Sequence, residues 1–231
     1  MNDVIRVDNL MKKYGRNVVF KDISFTIEPG RIIGLIGNNG LGKTTLLDII
    51  GGYRKQSRGR VFYNGRETNK KEKESIALVD PKQLFPFFTV SMAIDYFTDF
   101  FDDFDRKCAL RLCEQLKLDQ KQKIQKLSKG NQERLCLLLT LSRKGKLYLM
   151  DEPFAGIDPQ IKYDLKKIIL ENKPEDATII IATHLLKELE FLFDEIIILM
   201  KDKAILRNCD EIRSIHKKSI EEYYLEVITH V

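Results

Sequence analysis

Ile32-Ile33-Gly34-Leu35-Ile36, followed without a break by Gly37-Asn38-Asn39-Gly40-Leu41-Gly42-Lys43-Thr44, joins an apolar run to a glycine-rich turn. The apolar run has strand length and no alternation, which predicts a strand buried on both faces. The turn fits G-x-x-x-x-G-K-[ST], a pattern in which glycines let backbone N–H groups curl inward around a phosphate chain. Lys43 supplies a positive charge for the terminal phosphates, and the Thr44 hydroxyl is a hard oxygen suited to Mg²⁺. The segment Thr44 to Ile50 predicts a buried helix, ended by Gly51-Gly52, whose positive N-terminus faces the same anion. Asn38, Asn39, Gly40, Gly42, Lys43, Thr44 and Thr45 are therefore the candidate nucleotide-binding positions.

Working outward, a short strand begins at Val4, Ile5 and Val7, and Tyr14 to Asn17 predicts a turn. A second strand follows from Val18 to Ile27, stopped by Glu28-Pro29-Gly30. Arg60 to Tyr63 precedes Asn64-Gly65, a hairpin signal, and Ile76 to Val79 predicts another strand. From about Val90 to Ser142 the apolar residues recur at three- and four-residue spacing, the helical period. Strand signals return at Leu147 to Met150, Thr178 to Ala182 and Ile196 to Met200, separated by helical stretches at Ile161 to Leu170 and Leu185 to Phe191. Such alternation predicts an α/β fold: a mainly parallel sheet covered on both faces, with an antiparallel β layer near the N-terminus. The domain reading is one unit, with residues 1–84 and 143–231 forming the core and about 85–142 an inserted helical subdomain.

Composition narrows the function classes. Hydrophobic residues are 43% and charged residues 32% of the 231, which excludes a mainly disordered chain. The net charge of +5 is spread over 39 basic and 34 acidic residues, so no nucleic-acid partner is expected. Cys108, Cys113, Cys136 and Cys209 form no C-x-x-C pair and predict reduced thiols. The first residues lack a signal-peptide pattern, and runs such as Ile196 to Met200 are too short to span a bilayer. A role at a membrane would require another chain to hold this one there.

Leu147-Tyr148-Leu149-Met150-Asp151-Glu152-Pro153 is an apolar strand ending in two acids. Ligands of parallel sheets bind beyond the carboxyl ends of the strands. Asp151 is placed to approach Mg²⁺, and Glu152 to polarise an attacking water. Phosphoryl transfer depends mainly on such positioning and charge neutralisation.

Leu127-Ser128-Lys129-Gly130-Asn131-Gln132 lies between these two motifs. It resembles the signature of ATP-binding-cassette (ABC) ATPases, whose common form is L-S-G-G-Q, with Lys129 and Asn131 as departures of a kind familiar in export-type members. Ser128 is a favoured helix cap. The resemblance implies a P-loop ATPase fold that binds ATP with Mg²⁺ and hydrolyses it. It implies that Ser128 and Gly130 bind the γ-phosphate held by an opposite subunit, and that Tyr14 stacks on adenine. Ala155-Gly156-Ile157-Asp158 resembles the D-loop, with Asp158 facing the partner subunit, and His184 matches the switch histidine that bonds the γ-phosphate. At the Q-loop an ungapped count gives Asp80, a possible metal ligand, and a different spacing gives Gln83. The exposed-looking Phe85, Phe87 and Phe88 either contact a membrane partner or pack on the helical subdomain. The tail from Lys218 to Glu226 looks like the C-terminal segment of export-type (ABC-2-like) ATPases. The implied assembly is a homo- or heterodimer through an ATP sandwich, bound to a transmembrane permease subunit at the cytoplasmic face of the cell membrane and working as an exporter. Two other readings stand beside it: a soluble ABC ATPase acting on ribosomes or nucleic acid, and a regulatory module that holds ATP without hydrolysing it.

Overall fold

The structure, a computed structural model, describes residues 4–67, 76–79, 84–154 and 159–229. Asp80, Gln83 and Asp158 lie outside the described residues.

A four-stranded antiparallel sheet contains β1 (Ile5–Tyr14), β2 (Asn17–Ile27), β4 (Arg58–Tyr63) and β5 (Arg66–Glu67), in the order β2-β1-β4-β5. A six-stranded sheet contains β3 (Ile32–Ile36), β6 (Ile76–Ala77), β7 (Leu147–Asp151), β8 (Thr178–Ala182), β9 (Glu195–Leu199) and β10 (Ala204–Asn208), in the order β10-β9-β3-β8-β7-β6. All its pairings are parallel except β9–β10. The strand expected to begin at Val4 is longer than foreseen, running to Tyr14. The strand expected over Ile76 to Val79 is shorter, ending at Ala77. The β1–β2 turn has Gly15 at φ 57, and the β4–β5 turn has Asn64 at φ 47 and Gly65 at φ 74, the left-handed pair that tight hairpins favour.

The strand period of two builds both cores. Ile33, Leu35, Ile180, Ala182, Ile197 and Leu199 point to one face, where they pack with β1, β2 and α1 (Lys43–Ile50). Ile32, Ile36, Ile179, Ile181, Ile196 and Ile198 point to the other. There they meet α2 (Val90–Phe100), α3 (Arg106–Gln115) and α4 (Lys129–Leu141). These helices start where side chains cap them: Thr89 accepts from Met92 N, Asp105 from Cys108 N, and Ser128 from Asn131 N. α4 is buried all round from Leu135 to Leu141, marking it as the central helix of this region.

Among the described residues the remaining α-helices are α5 (Pro159–Asn172), α6 (Leu186–Leu189, continued by a 3₁₀ turn at Glu190–Leu192), α7 (Cys209–Ser214) and α8 (Ile220–Thr229). No described helix is long and apolar enough to cross a membrane.

Gly34 sits mid-strand because the Phe193 ring occupies the space of its missing side chain; a Cβ there would lie 2.8 Å from the ring. Gly34→Ala should lower stability by about 1–3 kcal/mol through overpacking. Urea unfolding checks this, and adding Phe193→Leu should restore part of the loss.

Candidate functional site

The glycine-rich turn links β3 to α1, and its glycines serve different ends. Gly40 (φ 84) has nothing within 4 Å of a built Cβ, so only its left-handed backbone demands glycine. Gly42 (φ 91) is also crowded: a Cβ would come within 2.4 Å of Val19 Cγ1 on β2. At Gly37 a Cβ would stand 2.7 Å from the Leu199 carbonyl oxygen. The antiparallel layer and β9 thus press the turn from both sides.

Lys43 is 8% exposed, and its Nζ donates to Gly37 O at 2.7 Å and to Asn38 O at 3.4 Å. Burial pushes its pKa down, against the opposing attraction of Glu152 and Asp151. Gly42, at the helix N-cap, offers no side-chain acceptor, so the first amide groups of α1 are left for an anion.

Two further loops join the turn. Thr44 Oγ1 donates to Asp151 Oδ2 at 2.6 Å, bringing together a hydroxyl and a carboxylate, a hard-oxygen pair suited to Mg²⁺. Burial raises the Asp151 pKa, partly opposed by the Thr44 hydrogen bond and by Lys43, while Glu152 adds to the rise. Glu152 has φ 49, and its N–H donates to Ala182 O at 2.9 Å. Its carboxylate pairs with His184 Nδ1 at 2.8 Å and accepts from His184 N at 3.4 Å. An acid at a positive φ is held off its preferred backbone, a form of strain that collects at functional sites.

These loops frame a cleft of about 440 Å³ lined by Asn39, Gly40, Lys43, Thr45, Asp151 and Glu152 among others. Val19 also lines it, a residue that sequence reasoning missed; its place one strand over from the turn carries no local signal. Tyr14, Ser128 and Gly130 do not line it. Tyr14 is 45% exposed at the end of β1; its hydroxyl accepts from Arg54 Nη1 at 2.6 Å, and Lys12 Nζ stands 4.8 Å from its ring. A second cavity, of about 470 Å³, is lined on one side by Thr44, Asp151 and Glu152 and on the other by Lys129, Gln132 and Cys136 of α4. Phe85 and Phe87 are exposed, and both rings pack near Phe88.

A family model described as "ABC transporter" matches residues 20–155. The chain belongs to the ABC transporter family. It is similar to the tungstate uptake system ATP-binding protein of Peptoclostridium acidaminophilum, 36% identical over 203 residues covering 84% of this chain and 94% of that protein. It is also similar to a lantibiotic transport ATP-binding protein of Streptococcus pyogenes, 29% identical over 206 residues covering 88% and 90%. A solved ATP-binding subunit of an ABC transporter superposes with a TM-score of 0.84 at 24% identity, covering 97% of this chain and 99% of that one. This ABC cassette binds ATP and hydrolyses it to drive transport. Family and relatives favour the motor over the ribosome-directed and the non-hydrolysing readings.

The half-buried Asp151 allows a prediction with a definite sign. A carboxyl whose folded pKa is raised contributes stability below its unfolded pKa and loses it as the pH rises through the folded value. At about pH 7.5 the ionised Asp151 is therefore a cost to the ligand-free protein. Asp151→Asn should raise its melting temperature there, and the difference should narrow as the pH is lowered. Mg-ATP should stabilise the variant less than the wild type in the same scans.

Proposed function

We propose that the cleft is the catalytic site of a transport ATPase. The observation that carries this is the convergence of Lys43, the Thr44–Asp151 pair and Glu152 on one opening, with His184, from a neighbouring cavity, paired to Glu152 at 2.8 Å. Backbone amides from Asn38 to Thr45, with Lys43, hold the triphosphate. Thr44 and Asp151 hold Mg²⁺, and Asp80 is retained as a third candidate. The ion, when bound, neutralises charge between the terminal phosphates. Glu152 orients and polarises the attacking water, and His184 holds Glu152 through Nδ1; as an imidazolium it also carries an N–H on its other nitrogen to donate to the γ-phosphate. This differs in emphasis from a direct phosphate role alone: the short Nδ1 contact supports His184 also as the group that positions the base.

Ser128 and Gly130 do not line the phosphate cleft, which supports a two-copy site in which these residues close over the ATP of an opposing subunit. Asp158 would face that subunit, and Tyr14 would stack on adenine. Each bound ATP holds the dimer closed, and hydrolysis lets it open. The ligand drives the change because it binds the closed state more tightly than the open one. The helical subdomain, about 85–142, passes the motion to a transmembrane permease at the cytoplasmic face of the membrane. We propose export as the direction, on Lys129 and the tail and on the relative named for lantibiotic transport. The relative named for tungstate uptake supports the opposite direction, and the sequence of the permease recovered with this chain would separate the two.

Glu152→Gln should keep ATP binding and lower turnover by about 10²–10⁴-fold, the range for loss of a general base. Wild-type turnover in a phosphate-release assay would remove Glu152 from this role. Lys43→Ala should lose ATP binding, measured by calorimetry. Tagged Glu152→Gln protein recovered from solubilised membranes with Mg-ATP should bring down a multi-spanning membrane protein in stoichiometric amount. Recovery with ribosomes or DNA instead would overturn the transport role.

A further inference from the structure

α8 lies far along the chain from the glycine-rich turn, yet the two touch. The Tyr224 hydroxyl on α8 donates to Asn38 Oδ1 at 3.0 Å, across 186 residues of sequence. Asn38 is exposed, and its own carbonyl accepts from Lys43 Nζ at 3.4 Å. A continuous path of polar contacts therefore runs from α8 through Asn38 to the lysine in the cleft.

The helix is well fixed for such a task. Ser219-Ile220-Glu221-Glu222 forms a capping box: Ser219 Oγ accepts from Glu222 N at 3.2 Å, and Ser219 N donates to the Glu222 carboxylate at 2.8 Å. Ile220 is fully buried, and the buried Tyr223 accepts from Arg207 Nε of β10 at 3.1 Å. The segment that follows His184 is gripped by this end and by α7: Ile220 N of α8 donates to Glu190 Oε2 at 2.9 Å, and Arg213 Nη2 of α7 donates to Glu190 O at 2.6 Å. A small cavity of about 230 Å³ lies where these parts meet, with Gly37, Asn38, Thr183, His184, Leu186 and Tyr224 in its walls.

We propose that α8 is a positioning element of the nucleotide site, with Tyr224 holding Asn38, and through it the phosphate loop, in its binding conformation. The proposal rests on reading residues 37–44 as the phosphate loop. Tyr224 touches no reacting atom; it acts by limiting the conformations that the loop samples before phosphate arrives. Loss of its hydroxyl therefore weakens nucleotide binding without unfolding the helix, whose anchors are Ile220, Tyr223 and the capping box.

The test is Mg-ADP binding by calorimetry on the full chain, with thermal unfolding measured in parallel. Tyr224→Phe keeps the ring and removes the hydrogen bond; it should weaken binding about three- to fivefold, the scale of one hydrogen bond, with an unchanged melting temperature. Asn38→Ala should weaken binding at least as much, and the double variant should be no worse than Asn38→Ala alone, because both changes break one contact. Unchanged affinity in Tyr224→Phe would overturn the proposal, and so would losses that multiply in the double variant. A loss matched by a fall in melting temperature would make Tyr224 a packing residue and would also overturn it. Lys43→Ala separates the two layers of the argument. If it binds Mg-ADP like the wild type, the phosphate-loop reading fails. If it loses binding while Tyr224→Phe retains it, only the role of α8 fails.

Discussion

Leu35, Ala182 and Asp151 stand in one row across three parallel strands, with β8 between β3 and β7. Everything at the site depends on that register. The residues just beyond the row are the glycine-rich turn, Thr183-His184 and Glu152, so three loops leave the sheet side by side. A slip of one residue in β8 would turn Ile179 and Ile181 into the wrong core and lift His184 away from Glu152. The isoleucine-rich strands are thus more than filling: their alternation between two cores holds the chemistry in line.

Within this frame the charged groups of the site are met only by weak protein partners. A buried ammonium is satisfied by carbonyl oxygens of its own loop, and a half-buried carboxylate by the neighbouring threonine hydroxyl. Both groups have pKa values moved by burial toward their neutral forms. Their partners are weak substitutes for opposite charges, so the anionic phosphates of a bound nucleotide relieve a cost that the fold already carries at Lys43.

Much of this was legible in the chain itself. The continuous apolar runs at 32–36 and 178–182 became fully buried parallel strands, as their lack of alternation predicts. Ser128 caps α4 as its residue type predicts. Elements that bury little were not legible. β10 is only half-buried, and its apolar run, Ala204-Ile205-Leu206, is too short to stand out before Arg207-Asn208. The segment after His184 is one short helix and a 3₁₀ turn rather than the single helix expected from Leu185 to Phe191. At the site, residue types and spacing identified the groups, but which groups touch is set by register and long-range packing. The contacts of Val19 with Gly42, and of Tyr224 with Asn38, have no local signature for that reason. The capping box at Ser219 was a local signal that went unused.

The positive φ of Glu152 bears on how this position can drift over generations. Glycine and asparagine are at ease in a left-handed backbone, whereas glutamate is not, and β-branched residues are least so. On the hydrolytic role proposed for Glu152, a lineage released from the need for hydrolysis would gain backbone comfort at once by losing the acid, and would drift first toward glycine or asparagine. Under that proposal the glutamate persists only while turnover is under selection, which makes residue 152 a natural register of whether a descendant still works as a motor.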